Sequence, residues 1–91
     1  MGFSRRVIEV TPLDLSSTKR ARKIIATHVK GEKSCYTSIL YVEEETIKEH
    51  TVIMPSINEG VESAKNWIKE NFSDCRFDDI TGHNFEKYPL H

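Results

Sequence analysis

Residues 34–72 read SCYTSILYVEEETIKEHTVIMPSINEGVESAKNWIKENF, and this stretch decides the fold. Its segments 34–43 and 46–54 are rich in Tyr, Thr, Ile and Val, which suit a pleated surface, and both have strand length. Glu43, Glu44 and Glu45 fall between them. Three adjacent carboxylates repel unless hydrated, so they belong at the tip of a hairpin. Without Gly or Asn at that tip a tight two-residue primed turn is not expected, and the register stays open between neighbouring choices.

Past Pro55, the tetrad Ser56-Ile57-Asn58-Glu59 has the form of a capping box, with Ser56 accepting from a free helix amide and Glu59 reaching back. Ile57, Val61, Ala64, Ile68 and Phe72 then recur at helical spacing, and Trp67 widens the stripe. A helix over 57–72 follows. Gly60 in its first turn costs about 1 kcal/mol relative to Ala.

Both faces of the hairpin carry apolar groups. Tyr36, Leu40 and Val42 alternate with Cys35, Ile39 and Tyr41, and Ile47 and Ile53 alternate with Val52 and Met54. An antiparallel sheet with one wet face shows polar residues at every second position instead. One helix covers one face only, so the other needs a different cover: the C-terminal tail 83–91, a second copy, or a partner. With Glu44-Glu45 as the loop, Tyr36, Leu40, Val42, Ile47 and Ile53 share a face and are the better core. Ile39, Tyr41, His50, Val52 and Met54 are then the exposed set. The expected partner-binding residues are accordingly Ile39, Tyr41, His50 and Met54 with the tip Glu43, Glu44 and Glu45. Tyr suits such a surface because its ring buries area while its hydroxyl finds a polar partner.

Outward from this core, residues 3–10 contain Val7, Ile8 and Val10 and read as a strand ended by Pro12, and 13–18 (LDLSST) is a turn-forming connector. Residues 20–29 (RARKIIATHV) admit two readings. A helix there gives a ferredoxin-like βαββαβ chain with a second helix at about 15–29. A strand is favoured by the β-branched Ile24, Ile25, Thr27 and Val29, by cations where a helix N-terminus disfavours them, and by the turn signal Lys30-Gly31. Residues 75–80 (CRFDDI) add a short last strand. The expected fold is α+β: an antiparallel meander of about four strands and a short fifth, packed on one face by the 57–72 helix, as one domain over 1–91.

Composition agrees with a folded chain: Leu, Ile, Val and Phe number 23 of 91 residues, above the level at which disorder sets in. No apolar run has the length of a membrane span, residues 1–10 lack a secretory apolar core, and two cysteines form no disulfide framework. A soluble cytoplasmic protein is the expectation. The net charge of −1 hides a segregation, with eight Lys or Arg against three Asp or Glu over 1–33 and five against eleven over 34–91. Such polarity attracts an acidic partner at one end, a basic one at the other, or further copies of the chain.

No motif dictates a chemistry. Four His and two Cys show neither Cys-x-x-Cys nor His-x-x-x-His spacing, so neither metal nor cofactor is expected. Cys35 with His50, or Cys75 with His83, is the only arrangement that supports a cysteine-dependent enzyme. Asp78, Asp79 and Glu86 form a carboxylate group, yet adjacent strand residues point to opposite faces. The basic residues Arg5, Arg6, Lys19, Arg20, Arg22 and Lys23 are the candidate site for nucleic acid or an acidic partner, although strand alternation separates Arg20 and Arg22 from Lys19 and Lys23. The favoured function is a non-catalytic protein-interaction module of adaptor or inhibitor type, self-associating through its open face or sheet edge. A nucleic-acid binder is the alternative.

Overall fold

A computed structural model describes residues 2–81. Among them the chain forms β1 (Phe3–Pro12), β2 (Lys19–Val29), β3 (Cys35–Glu43), β4 (Thr46–Met54), α1 (Ile57–Asn71) and β5 (Cys75–Asp79). All strand pairings are antiparallel, and the sheet order is β4-β3-β2-β1-β5. This is the expected α+β architecture. The ferredoxin-like alternative with a helix at 15–29 is not formed, because the β-branched run of β2 pairs on both sides, with β1 and with β3.

The topology follows from chain lengths. Four strands run up and down, and α1 then carries the chain diagonally across one face to the far end of β5. A helix of 15 residues spans roughly 22 Å. Outer strands of a five-stranded sheet lie roughly 19 Å apart. The helix together with residues 72–74 brings the chain from one edge to the other.

Ser56 caps α1: its hydroxyl accepts from the Glu59 amide at 3.2 Å and donates to the Glu59 carboxylate at 2.9 Å. The reciprocal bond of the box thus runs through the Ser56 hydroxyl rather than its amide. Phe72 closes the helix, its amide donating to the Ile68 carbonyl. The buried stripe Val61, Ala64 and Ile68 meets Ile8, Val10, Ala21, Ile24, Ala26 and Ile39. Each fully buried Val or Ile here stabilises by about 1.5–3 kcal/mol.

Two local features differ from the sequence expectation. The β3–β4 connection is a tight two-residue turn after all: Glu43 pairs with Thr46, and Glu44 and Glu45 take φ of +52° and +66°. The unbroken pairing from Cys35↔Met54 to Glu43↔Thr46 holds these residues in the left-handed region that Asn and Gly normally occupy. Further in, a bulge at Arg22 shifts the β2–β3 register between Ala21 and Lys23. One extra residue reverses strand alternation at that point, and Ala21 and Ile24 both point into the core.

Candidate functional site

The loop is Glu44-Glu45, yet α1 covers the opposite face from the one expected. Ile39, the first of the expected partner-binding residues, is fully buried, and Tyr41 packs against the cluster around it. The Tyr41, Trp67 and Phe72 rings lie 5.5–5.6 Å apart in tilted or edge contacts. His50 stacks on Trp67 with centroids 4.3 Å apart. Met54 is partly buried and lines a shallow groove beside α1. These residues hold the helix rather than facing away from it. At the tip, Lys48 donates to Glu43 at 3.1 Å and holds that carboxyl below its usual range, while the Glu44 amide donates to the Thr18 carbonyl.

Gly60 shows why this face was selected. It is buried in the first turns of α1, directly over Thr37 of β3, and a Cβ there would run into the Thr37 hydroxyl. Small residues at 60 and 64 let the helix settle low on the sheet, where Thr37 fits and the larger Tyr36 does not.

The open face therefore carries the set expected to form the core. Tyr36, Ile47 and Ile53 are 43%, 77% and 60% exposed, and Phe3 and Val29 are exposed at the same end of the sheet as Tyr36 and Ile53. At the other end lies a groove of about 620 Å³, lined among others by Arg20, Arg22, Lys23, Leu40, Val42 and Ile47. The bulge builds this groove. In a regular strand Lys23 would face α1; the extra residue returns it to the side of Arg20. Among the described residues no carboxylate lies within salt-bridge distance of Arg20, Arg22 or Lys23. The Arg20 guanidinium donates to the Ser17 carbonyl at 3.0 Å and the Leu15 carbonyl at 2.5 Å, which fixes its position.

The remaining basic candidates are elsewhere. Lys19 lies on the helix side with its ammonium 5.0 Å from the Phe72 ring centre. Arg6, also on the helix side, bonds Asp79 and Asn58, both at 2.9 Å. Arg5 shares the open face but pairs with Thr27, four residues along β2 from Lys23, and stacks over Phe3. Half of the expected basic site is thus assembled.

The other chemical candidates do not converge. Cys35 pairs with Met54, whereas His50 pairs with Ile39, four residues away along each strand, a separation of roughly 13 Å. Cys35 is buried, its thiol directed at the Pro55 carbonyl. Burial, with Asp74 nearby, pushes the Cys75 thiol above its ordinary range, which lowers its thiolate content. Asp78 bonds Arg76 and Asp79 bonds Arg6, on opposite faces of β5. His83, Glu86 and the tail 83–91 lie outside the described residues. Among the described residues no cluster of His, Cys, Asp or Glu is placed to hold a metal ion, and no helix is long and apolar enough to cross a membrane. The chain matches no family model, no curated protein and no solved structure.

Proposed function

We propose that this protein is a small non-catalytic interaction module, an adaptor or inhibitor that acts by holding a protein partner on the open face of its sheet. The observation that carries this reading is the placement of Tyr36, Ile47 and Ile53 in water on a face that no described element covers. Large exposed apolar side chains scattered singly need no explanation, whereas Tyr36 and Ile53 stand directly opposite each other at one end of this face and Ile47 stands opposite Val42 at the other. The partner surface that suits this face is apolar with acidic groups, the latter meeting Arg20, Arg22 and Lys23. Ile53→Lys and Tyr36→Lys test the reading: association with the partner is lost while thermal stability stays unchanged. Association that survives both substitutions refutes it.

The bulge favours a second reading, in which the groove cations bind the phosphates of a nucleic acid. Three neutralised phosphates give a slope of log affinity on log salt of about −2 to −3. Removal of Arg20, Arg22 and Lys23 abolishes that slope. Binding insensitive to salt, or none at low salt, eliminates this reading.

A further inference from the structure

We propose that β4 pairs with β4 of a second copy of this chain, antiparallel about a two-fold axis at His50, joining two sheets into one. This concerns the edge of the sheet and shares Ile47 and Ile53 with the open face, so Tyr36, which lies on β3 away from that edge, distinguishes the two.

Of the two edge strands among the described residues, β5 has five residues and β4 has nine, the latter paired with β3 along its whole length without a bulge. A long regular edge offers unpaired N–H and C=O groups as a template for another strand. The tight turn fixes which groups are offered. Glu43 and Thr46 close the hairpin as a pair that exchanges both hydrogen bonds, so residues 48, 50, 52 and 54 also direct their backbone groups at β3. Residues 47, 49, 51 and 53 direct theirs outward.

Antiparallel self-pairing must match outward residues with outward residues, which leaves few registers. Centring on residue 49 sets Glu49 against its own copy. Centring on 51 sets Ile47 against Pro55, which has no N–H to give. Centring on His50 overlaps the whole of Thr46–Met54, sets Ile47 against Ile53 twice, Glu49 against Thr51 and Lys48 against Val52. No like charges stand opposite each other in that register. Ile47 and Ile53, the two most exposed apolar side chains of the hairpin, cover one another. A lysine often guards an edge against such pairing, but Lys48 is drawn back to Glu43 of its own hairpin at 3.1 Å.

Sedimentation of the full chain tests the proposal, with a mass of twice 10.5 kDa expected. Thr51→Pro removes an outward N–H without touching the β3–β4 ladder, an exchange edge strands tolerate. It is expected to give a folded monomer by circular dichroism. A wild-type monomer at every concentration overturns the proposal, and so does a folded Thr51→Pro dimer. Should Thr51→Pro fail to fold, oxidative cross-linking in a Cys75→Ser chain decides. His50→Cys lies opposite its own copy at about 4.5 Å between Cα atoms and forms a disulfide dimer. Ile47→Cys lies roughly 20 Å from its copy and does not. Linkage at both positions, or at neither, refutes the two-fold register.

Discussion

Replacing Gly60 with Ala probes how closely α1 approaches the sheet. Helix propensity alone favours the substitution by about 1 kcal/mol. Packing opposes it, because the new Cβ meets the buried Thr37 hydroxyl inside contact distance and lies only 3.3 Å from the Thr37 Cβ. Overpacking a filled core costs about 1–3 kcal/mol, and a collision with a β-branched side chain on a strand falls at the upper end. The net expectation is a loss of about 2 kcal/mol. Thr37→Ala removes the obstacle, and it also removes a buried hydroxyl without a hydrogen-bond partner. Eliminating that unsatisfied group offsets much of the lost methyl packing. In the Thr37→Ala background Gly60→Ala then becomes stabilising by about 1 kcal/mol, a coupling of about 3 kcal/mol between the two sites. Urea denaturation of the four proteins at one fixed concentration, followed by the fluorescence of the single tryptophan, Trp67, measures the cycle. Equal effects of Gly60→Ala in both backgrounds, or a gain with Thr37 in place, refute the close approach.

Three further outcomes are expected. Ile39→Ala destabilises by about 2–5 kcal/mol, whereas Ile53→Lys changes stability by no more than about 0.5 kcal/mol; thermal melts of the two variants distinguish the covered face from the open one. Replacing Glu44-Glu45 with Asn-Gly raises stability by about 1–2 kcal/mol in denaturant titrations, since both positions have positive φ. Hydrogen bonds from the Thr81 side chain and amide, then Arg6, lower the Asp79 pKa to about 2. A depressed folded-state pKa stabilises above the unfolded value near 4 and loses that contribution as pH falls toward 2. With the side chain 44% exposed, screening limits the effect to about 1 kcal/mol, and Asp79→Asn removes this component of the acid limb in pH-dependent melts.

The sequence made α1 legible because Ser56, Glu59 and the Ile57–Phe72 periodicity agree, and it made β2 legible through its β-branched run. It hid the choice of face. Tyr36, Leu40, Val42, Ile47 and Ile53 are all apolar whereas the alternate set includes His50, so polarity favours them as core. The closer fit is decided by small residues, Gly60 over Thr37, and by the Tyr41–Trp67–Phe72 contacts, none of which periodicity records. The bulge at Arg22 carries no glycine to betray it. One trace was present: Ala21, Ile24 and Ala26 cannot share a face in a regular strand, and a core that uses all three requires an inserted residue. The same inserted residue brings Lys23 to the side of Arg20, from which regular alternation separates it.

Site-specific photo-cross-linking from the two sides of the molecule tests the functional reading most directly. A photoreactive side chain at position 36 stands on the open face, and one at position 62 stands on the solvent side of α1. The expected result is a discrete protein adduct from position 36, competed away by unlabelled chain, with none from position 62. An adduct from position 62 alone, or no competed adduct from position 36, contradicts a partner held on the open sheet.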